Sequence, residues 1–283
     1  MIYIKYTLII LITLINFKIE ANMLKYETQF KNSKWFNYSS KLSCKMTHEV
    51  NNFGTAIFNK NSGNDLYNFE FHFLIKPNLK TLSTVYVLPN HWQTLPQNYQ
   101  LFDVDLYKGY NISFENDNVN LLLNYLEQGY KIGFIYNGII KTNFILSNIN
   151  FQQAYNKYKK CINNLLPYSF EDIQQTILHF DNNSLKLTKE SKKELDKLLN
   201  YIKEDTDFDT IEINSYSDSY GTRSKNLEIS KERRNKIIQQ FINFGINKNI
   251  ITGKSFGERH FITHNNTKEA RSQNRRIVIN LKK

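Results

Sequence analysis

Cysteine is nearly absent from this chain, with two residues, Cys44 and Cys161, in 283. That count excludes a disulfide-dense scaffold, and the six histidines add no zinc-like spacing. His260 and His264 are four apart, as helical metal ligands are, but they lie in an Asn-rich loop segment with no obvious third ligand. No metal or cofactor is expected. Four prolines and ten glycines are too few for a collagen-like or low-complexity chain, and no linker rich in them divides it. No apolar run reaches the roughly 20 residues that a helix needs to cross a bilayer. No cysteine follows the first apolar run closely, which argues against a lipid anchor.

What the N-terminus does contain is a short export signal. Lys5 supplies positive charge, and Tyr6 to Phe17 is an apolar core of about a dozen residues. Ile19-Glu20-Ala21 ends on a small residue, so cleavage is expected after Ala21, making 1–21 a signal peptide. An uncleaved anchor is the alternative. In an exported protein an even cysteine count reads as one bridge, Cys44–Cys161, against the alternative of two buried free thiols. The mature protein then has no integral membrane span.

Hydrophobic residues make up 41% and charged residues 22%, which is globular composition, and the length allows two domains. The net charge is +11, shared about equally between the halves rather than gathered in a tail. A basic surface favours anionic partners such as nucleic acid, membrane or cell-wall polymer, although a merely solvated surface explains it equally well. Export and the lack of any recognised motif argue against nucleic acid.

Residues 22–166 read as a mainly antiparallel β domain, sandwich or barrel-like. Phe69, Phe71 and Phe73 alternate with Glu70 and His72, the period of a half-buried strand. Ser83 to Leu88, Phe102 to Leu106 and Thr142 to Ile149 are further strands. Turns are expected at Asn61-Ser62-Gly63-Asn64, Lys76-Pro77-Asn78 and Asn137-Gly138. Val119 to Gln128 reads as a short helix closed by Gly129, and Phe151 to Leu166 as helical or irregular.

Residues 167–283 alternate strand and helix. Thr176 to Phe180 is a strand, Thr188 caps a helix carrying Leu195, Leu198, Leu199 and Ile202, and Thr210 to Tyr216 is a second strand. A helix from about Asn226 to Asn243 presents Ile237, Ile238, Phe241 and Ile242 and ends at Gly245. Asn249 to Ser255 and Arg275 to Leu281 complete a β-α-β-α-β-β order, an α/β mixed sheet with helices on a face.

The chemistry concentrates in Ser215-Tyr216-Ser217-Asp218-Ser219-Tyr220-Gly221, followed by Asn226, Ile229-Ser230 and Arg233, and later by Asn274-Arg275-Arg276-Ile277. A carboxylate at a strand end and a guanidinium near the start of the next helix suit a zwitterion. The Arg fork takes a carboxylate by paired hydrogen bonds, and Asp218 takes an ammonium. Taken singly, Asp218 is an ordinary turn residue and Arg233 a solvated one, and one of Arg275 and Arg276 makes a structural ion pair. The shared spacing resembles the OmpA-like peptidoglycan-binding domain, with its Thr-Asp-x-x-Gly turn, following Asn, Leu-Ser-x-x-Arg helix start and late Asn-Arg-Arg-Val strand. Phe180-Asp181-x-x-Ser184 fits its opening strand. The resemblance implies that Asp218 and Arg233 hold the zwitterionic end of diaminopimelate in the stem peptide. It places Asn226, Arg275, Ser217 and Gly221 around them. Ser217 keeps the hydroxyl of the family's Thr, Ile229 replaces Leu, and Phe261 stands where a Pro often follows. Arg234 replaces a small residue, which adds positive charge next to the site.

The first half is similar to the N-terminal domain of the MotY family of sodium-driven polar flagellar motor components. The matching residues are Trp35, the Cys44 strand, Asn52 to Phe58, Cys161-Ile162-x-Asn164-Leu165-Leu166, and Tyr168 to Ile173 followed by Thr176-Ile177-Leu178-His179. The resemblance implies a non-enzymatic periplasmic protein. Its N-terminal domain binds MotX and the flagellar basal body in a T ring that helps hold stator units. The paired cysteines match that family's disulfide positions. The alternative is a general wall-anchoring envelope protein with no motor role. A stator subunit such as MotB needs an uncleaved membrane helix, in one stator family with an ionisable Asp, and the apolar run here carries no acidic residue. Gly253-Lys254-Ser255-Phe256-Gly257 satisfies G-x-S-x-G, but that motif needs a strand-to-helix turn with Asp and His downstream, and a polar loop follows here.

Overall fold

The computed structural model describes residues 23–74, 82–90, 92–107, 111–137 and 140–283. The expected signal peptide, the turn at Lys76-Pro77-Asn78 and Gly138 of the Asn137-Gly138 turn lie outside the described residues. The first half contains β1 (Leu24–Glu27), β2 (Trp35–Ser39), β3 (Ser43–Val50), β4 (Gly54–Asn61), β5 (Asn68–Phe73), β6 (Leu82–Leu88), β7 (Tyr99–Tyr107) and β8 (Asn111–Glu115). Helix α1 (Asp117–Glu127), β9 (Lys131–Asn137), β10 (Lys141–Leu146) and α2 (Phe151–Ile162) follow.

These ten strands form one hydrogen-bonded path, β1-β10-β9-β6-β7-β8-β5-β4-β3-β2, antiparallel throughout except where β1 runs parallel to β10. The path curls until its halves face each other. Phe69 of β5 stacks on Phe134 of β9 at 5.7 Å, and Phe71 lies 4.1 Å from Phe144 of β10. These strands are not neighbours in the path, so the rings meet across an interior. Each fully buried Phe contributes roughly 1.5–3 kcal/mol there. The fold is therefore barrel-like, a single sheet wrapped on one core.

Among the described residues the backbone ladder stays open between β1 and β2, and side chains cross the seam. Trp35 Nε1 donates to Ser147 O at 3.0 Å, Ser147 N–H donates to His48 Nε2 at 3.3 Å, and Thr28 Oγ1 donates to Glu49 O at 2.7 Å. Helix α2 lays Phe151, Ala154 and Tyr158 on the core. A disulfide joins Cys161 of α2 to Cys44 of β3, with the Cα atoms 5.9 Å apart.

The two cores touch without a linker. Leu165 packs on the first, while Leu42, Leu166, Tyr168 and Phe170 pack on the second. Leu166 N–H donates to Lys41 O (2.8 Å) and Gly63 N–H to Leu166 O (3.2 Å). Gly63 has φ +63, and a Cβ there would lie 2.1 Å from Ser169 N, so only glycine permits this approach.

The second half contains α3 (Phe170–Ile173), β11 (Gln175–His179), α4 (Lys189–Glu204), β12 (Thr210–Tyr216), α5 (Arg223–Asn243), β13 (Ile251–Thr252), β14 (Ser255–Gly257), α6 (Lys268–Asn274) and β15 (Arg276–Lys282). The sheet runs β11-β15-β12-β13, with β14 also on β12. β15 is antiparallel to both neighbours, and β12 is parallel to β13 and β14, so the sheet is mixed. Leu195, Leu198 and Ile202 of α4, with Ile237 and Phe241 of α5, bury one sheet face with Ile211, Ile213, Ile277 and Ile279. Ile238 and Ile242 are half-buried beside them.

Two local expectations change. The strand expected over Asn249–Ser255 is two short pieces separated at Gly253, where φ is +131 and a Cβ would strike Ile213 O at 2.0 Å. Helix α6 was not anticipated, because its residues carry no apolar stripe. Its signal is the cap, Thr267 accepting from Ala270 N–H.

Candidate functional site

The site forms where β12 ends, α5 begins and β15 begins. Ser217 N–H donates to Gly257 O at 2.7 Å, which extends the pairing of β12 beyond its last residue. Asp218 then turns the chain by accepting Tyr220 N–H on Oδ1 at 3.0 Å. Gly221 follows at φ +103, and Thr222 caps α5 by accepting Lys225 N–H.

Helix α5 turns a polar face inward. Asn226, Ser230 and Arg233 follow one another by four and three positions and are all buried. Ser230 Oγ accepts Gly257 N–H at 3.2 Å, and Asn226 Nδ2 donates to Glu258 Oε2 at 2.7 Å. These bonds fix the helix start against the loop after β14.

Arg233 is 1% exposed. Its Nε and Nη2 donate to Ser184 O at 3.0 and 2.9 Å, and its guanidinium lies 4.8 Å from the centre of the Phe180 ring. Among the described residues Nη1 has no partner, and neither has the buried Ser217 Oγ. Burial first, then the charge of Arg275, lowers the Arg233 pKa to about 10, while Asp218 opposes the shift. Arg233 therefore stays cationic at neutral pH. Arg275 Nη1 donates to Asp218 Oδ2 at 2.8 Å, with both side chains nearly buried. Asp218 is thus already paired, and Arg275 makes the structural ion pair expected of one member of Arg275-Arg276. A carboxylate offers about four lone-pair sites, so Asp218 still has acceptor capacity.

All six sequence-derived candidates, Ser217, Asp218, Gly221, Asn226, Arg233 and Arg275, line one open cavity of about 470 Å³. Sequence reasoning missed Asn182, Asn183, Tyr220, Lys225, Glu228 and Glu232 there. The signal was present for the last three, which lie one helical turn apart on the exposed face of α5 next to the buried one that carries Asn226 and Arg233. Their addition balances the cavity, with Arg233, Arg275 and Lys225 opposing Asp218, Glu228 and Glu232.

Other residues lie elsewhere. Arg234 is not beside the cavity as expected. Its Nη1 donates to Gly253 O at 3.0 Å, because the next helical position rotates about 100° away. Arg276 lies 4.0 Å over the Tyr216 ring and donates to His260 O. His260 sits in a loop at φ +61, not on a helix with His264. Ser255 opens the short strand β14 and is not followed directly by a helix.

Comparison with known proteins matches residues 26–167 to the MotY N-terminal domain and residues 179–275 to the OmpA family. The sodium-type flagellar protein MotY of Vibrio parahaemolyticus is 28% identical over 264 residues, covering 91% of this chain and 90% of that protein. Among solved structures, the peptidoglycan-associated lipoprotein of Burkholderia pseudomallei is 20% identical, with a TM-score of 0.35, over 38% of this chain and 90% of that one. The C-terminal domain of Helicobacter pylori MotB is 19% identical, with a TM-score of 0.35, over 38% of this chain and 84% of that one. The first of the two domain matches alone spans about half of the sequence, and the chain belongs to the MotY N-terminal domain family, with an OmpA family domain behind it.

Proposed function

We propose that this chain is a non-enzymatic periplasmic component of a sodium-driven polar flagellar motor that ties the motor to peptidoglycan. Residues 1–21 direct export and are removed. Residues 22–166 dock MotX and the basal body in a T ring that helps hold stator units. Residues 167–283 bind the diaminopimelate end of an uncrosslinked stem peptide.

One observation carries the wall-binding part. Two buried donors, Arg233 Nη1 and Ser217 Oγ, have no partner among the described residues and lie beside the Asp218–Arg275 pair. An unpaired buried donor costs about 1–3 kcal/mol, which a bound carboxylate offsets. The ligand carboxylate then lies on Arg233 and Ser217, and its ammonium faces Asp218, Glu228 and Glu232. Arg275 holds Asp218 in place. The length-wide similarity to a flagellar protein supports the motor part.

Sedimentation with purified sacculi tests the first half of this reading. Losing one partner of a buried charged contact costs about 2–5 kcal/mol, so Arg233→Ala should release the protein from sacculi while circular dichroism stays unchanged. Retention like wild type rejects the site. Swimming of a deletion strain tests the motor role, and normal swimming leaves only the general wall-anchoring reading.

A further inference from the structure

β2 is an edge of the large sheet. Its ladder with β3 continues from the bond of Ser40 N–H to Ser43 O at 3.0 Å. Antiparallel alternation then turns the peptide groups of Trp35, Asn37 and Ser39 away from β3. Among the described residues no backbone group pairs with them. Native edges are usually blunted by charge, proline or a bulge. β2 reads Trp-Phe-Asn-Tyr-Ser and has none of these, and its register with β3 is regular.

Helix α2 runs alongside, held by the Cys44–Cys161 bridge and by Asn37 Nδ2 donating to Ala154 O. Between helix and strand lies an open groove of about 560 Å³, bordered by Trp35, Phe36, Asn37, Ser39, Lys157 and Lys160. Among the described residues no acidic one lines it, and α2 contains none. Lys159 is paired with Glu127 at 2.7 Å, whereas Lys157 and Lys160 make no ion pair among the described residues. On the outer face of β2, Phe36 is 48% and Tyr38 63% exposed.

We propose that the β2 edge is a strand-addition site for an acidic, extended segment of a partner protein. Main-chain bonds to residues 35, 37 and 39 would supply affinity. Side chains alternate along an added strand, so acidic residues would face Lys157 and Lys160 while apolar ones cover Phe36 and Tyr38. A second copy of this chain does not fit, because edge-to-edge pairing would bring the unpaired lysines of both copies together.

The test uses the full-length oxidised protein and a fluorescent peptide of about ten residues alternating Glu and Val. We expect saturable binding, with slowed hydrogen exchange at the amides of Trp35, Asn37 and Ser39. Asn37→Pro removes an outward N–H without breaking the ladder and should weaken binding at least about tenfold. Lys157→Glu with Lys160→Glu changes only the groove wall and should weaken it similarly. No binding, equal binding of a Lys/Val peptide, or full binding by the double lysine variant overturns the proposal. Concentration-dependent dimerisation that protects the same amides without peptide also overturns it, in favour of a second copy.

Discussion

Acid should open the seam of the N-terminal barrel, and His48 sets the pH. Its ring is fully buried in β3 and bonded on both sides. Nδ1 donates to Lys34 O at 2.9 Å, and Nε2 accepts Ser147 N–H at 3.3 Å. Only the neutral ring fits, because a proton on Nε2 would point at another donor. Burial accordingly pushes its pKa down to about 4 from the ordinary 6.5. The unfolded chain takes up the proton as pH falls through about 6.5, and the folded chain only below about 4. Stability from this group is therefore complete above 6.5 and is lost as pH falls toward 4, amounting to about 2.5 kcal/mol at pH 4.5. Urea unfolding at pH 7.5 and 4.5 measures it, with fluorescence of Trp35, stacked on His48 at 4.6 Å, as the reporter. His48→Gln stays neutral throughout. It lowers stability at both pH values through lost packing but removes this share of the slope. Wild type should lose about 2.5 kcal/mol more than His48→Gln between the two conditions. Equal losses would refute the reasoning.

Three further perturbations follow from the geometry. Cys44→Ser with Cys161→Ser opens a loop spanning 117 positions, and the chain-entropy relation predicts a loss of about 5 kcal/mol, read from denaturation midpoints. Asp218→Asn leaves Arg275 and Arg233 without their shared counter-charge and should cost about 3–5 kcal/mol. Asp218→Leu with Arg275→Met should recover the part of that loss due to Arg275, while Arg233 stays without its counter-charge, and should not restore sacculus binding, which separates the pair's structural share from its binding share. Gly63→Ala meets both a positive φ and the Ser169 backbone, so limited proteolysis should cut faster around residues 162–170 while each core survives.

Local pattern was readable wherever one face of an element is apolar. Phe69 and Phe71 on β5, and Ile211 and Ile213 on β12, announce their strands because alternate burial leaves a period in the sequence. That same period is silent about what lies opposite. The contact of Phe69 with Phe134 across the interior, and so the choice of a barrel over a sandwich, depends on strand order. Strand order is set by contacts distant in sequence. At the site the turn and helix start are local, so the motif spacing singled out Ser217, Asp218, Gly221, Asn226 and Arg233, whereas Arg275 reaches them from the start of β15. The inward face of α5 was harder to read. Asn226, Ser230 and Arg233 look like a solvated stripe, and only the loop containing Ser184 and the strand β14 that ends at Gly257 bury them. Arg234 misled for a related reason, because adjacency in a helix is angular separation in space.

The position of the disulfide also decides how the molecule would transmit force. Tension applied between the two domains enters the barrel through residues 162–167. Without the bridge it would peel α2 from its end, one contact at a time. Cys161 diverts it covalently into Cys44, near the start of β3. β3 is held by five register pairs to β2 and eight to β4, so a pull along its axis shears both ladders at once. The weakest path is thereby bypassed, and the crossover between the domains, tied to Lys41 and Gly63, gains a stiff mount instead of a hinge.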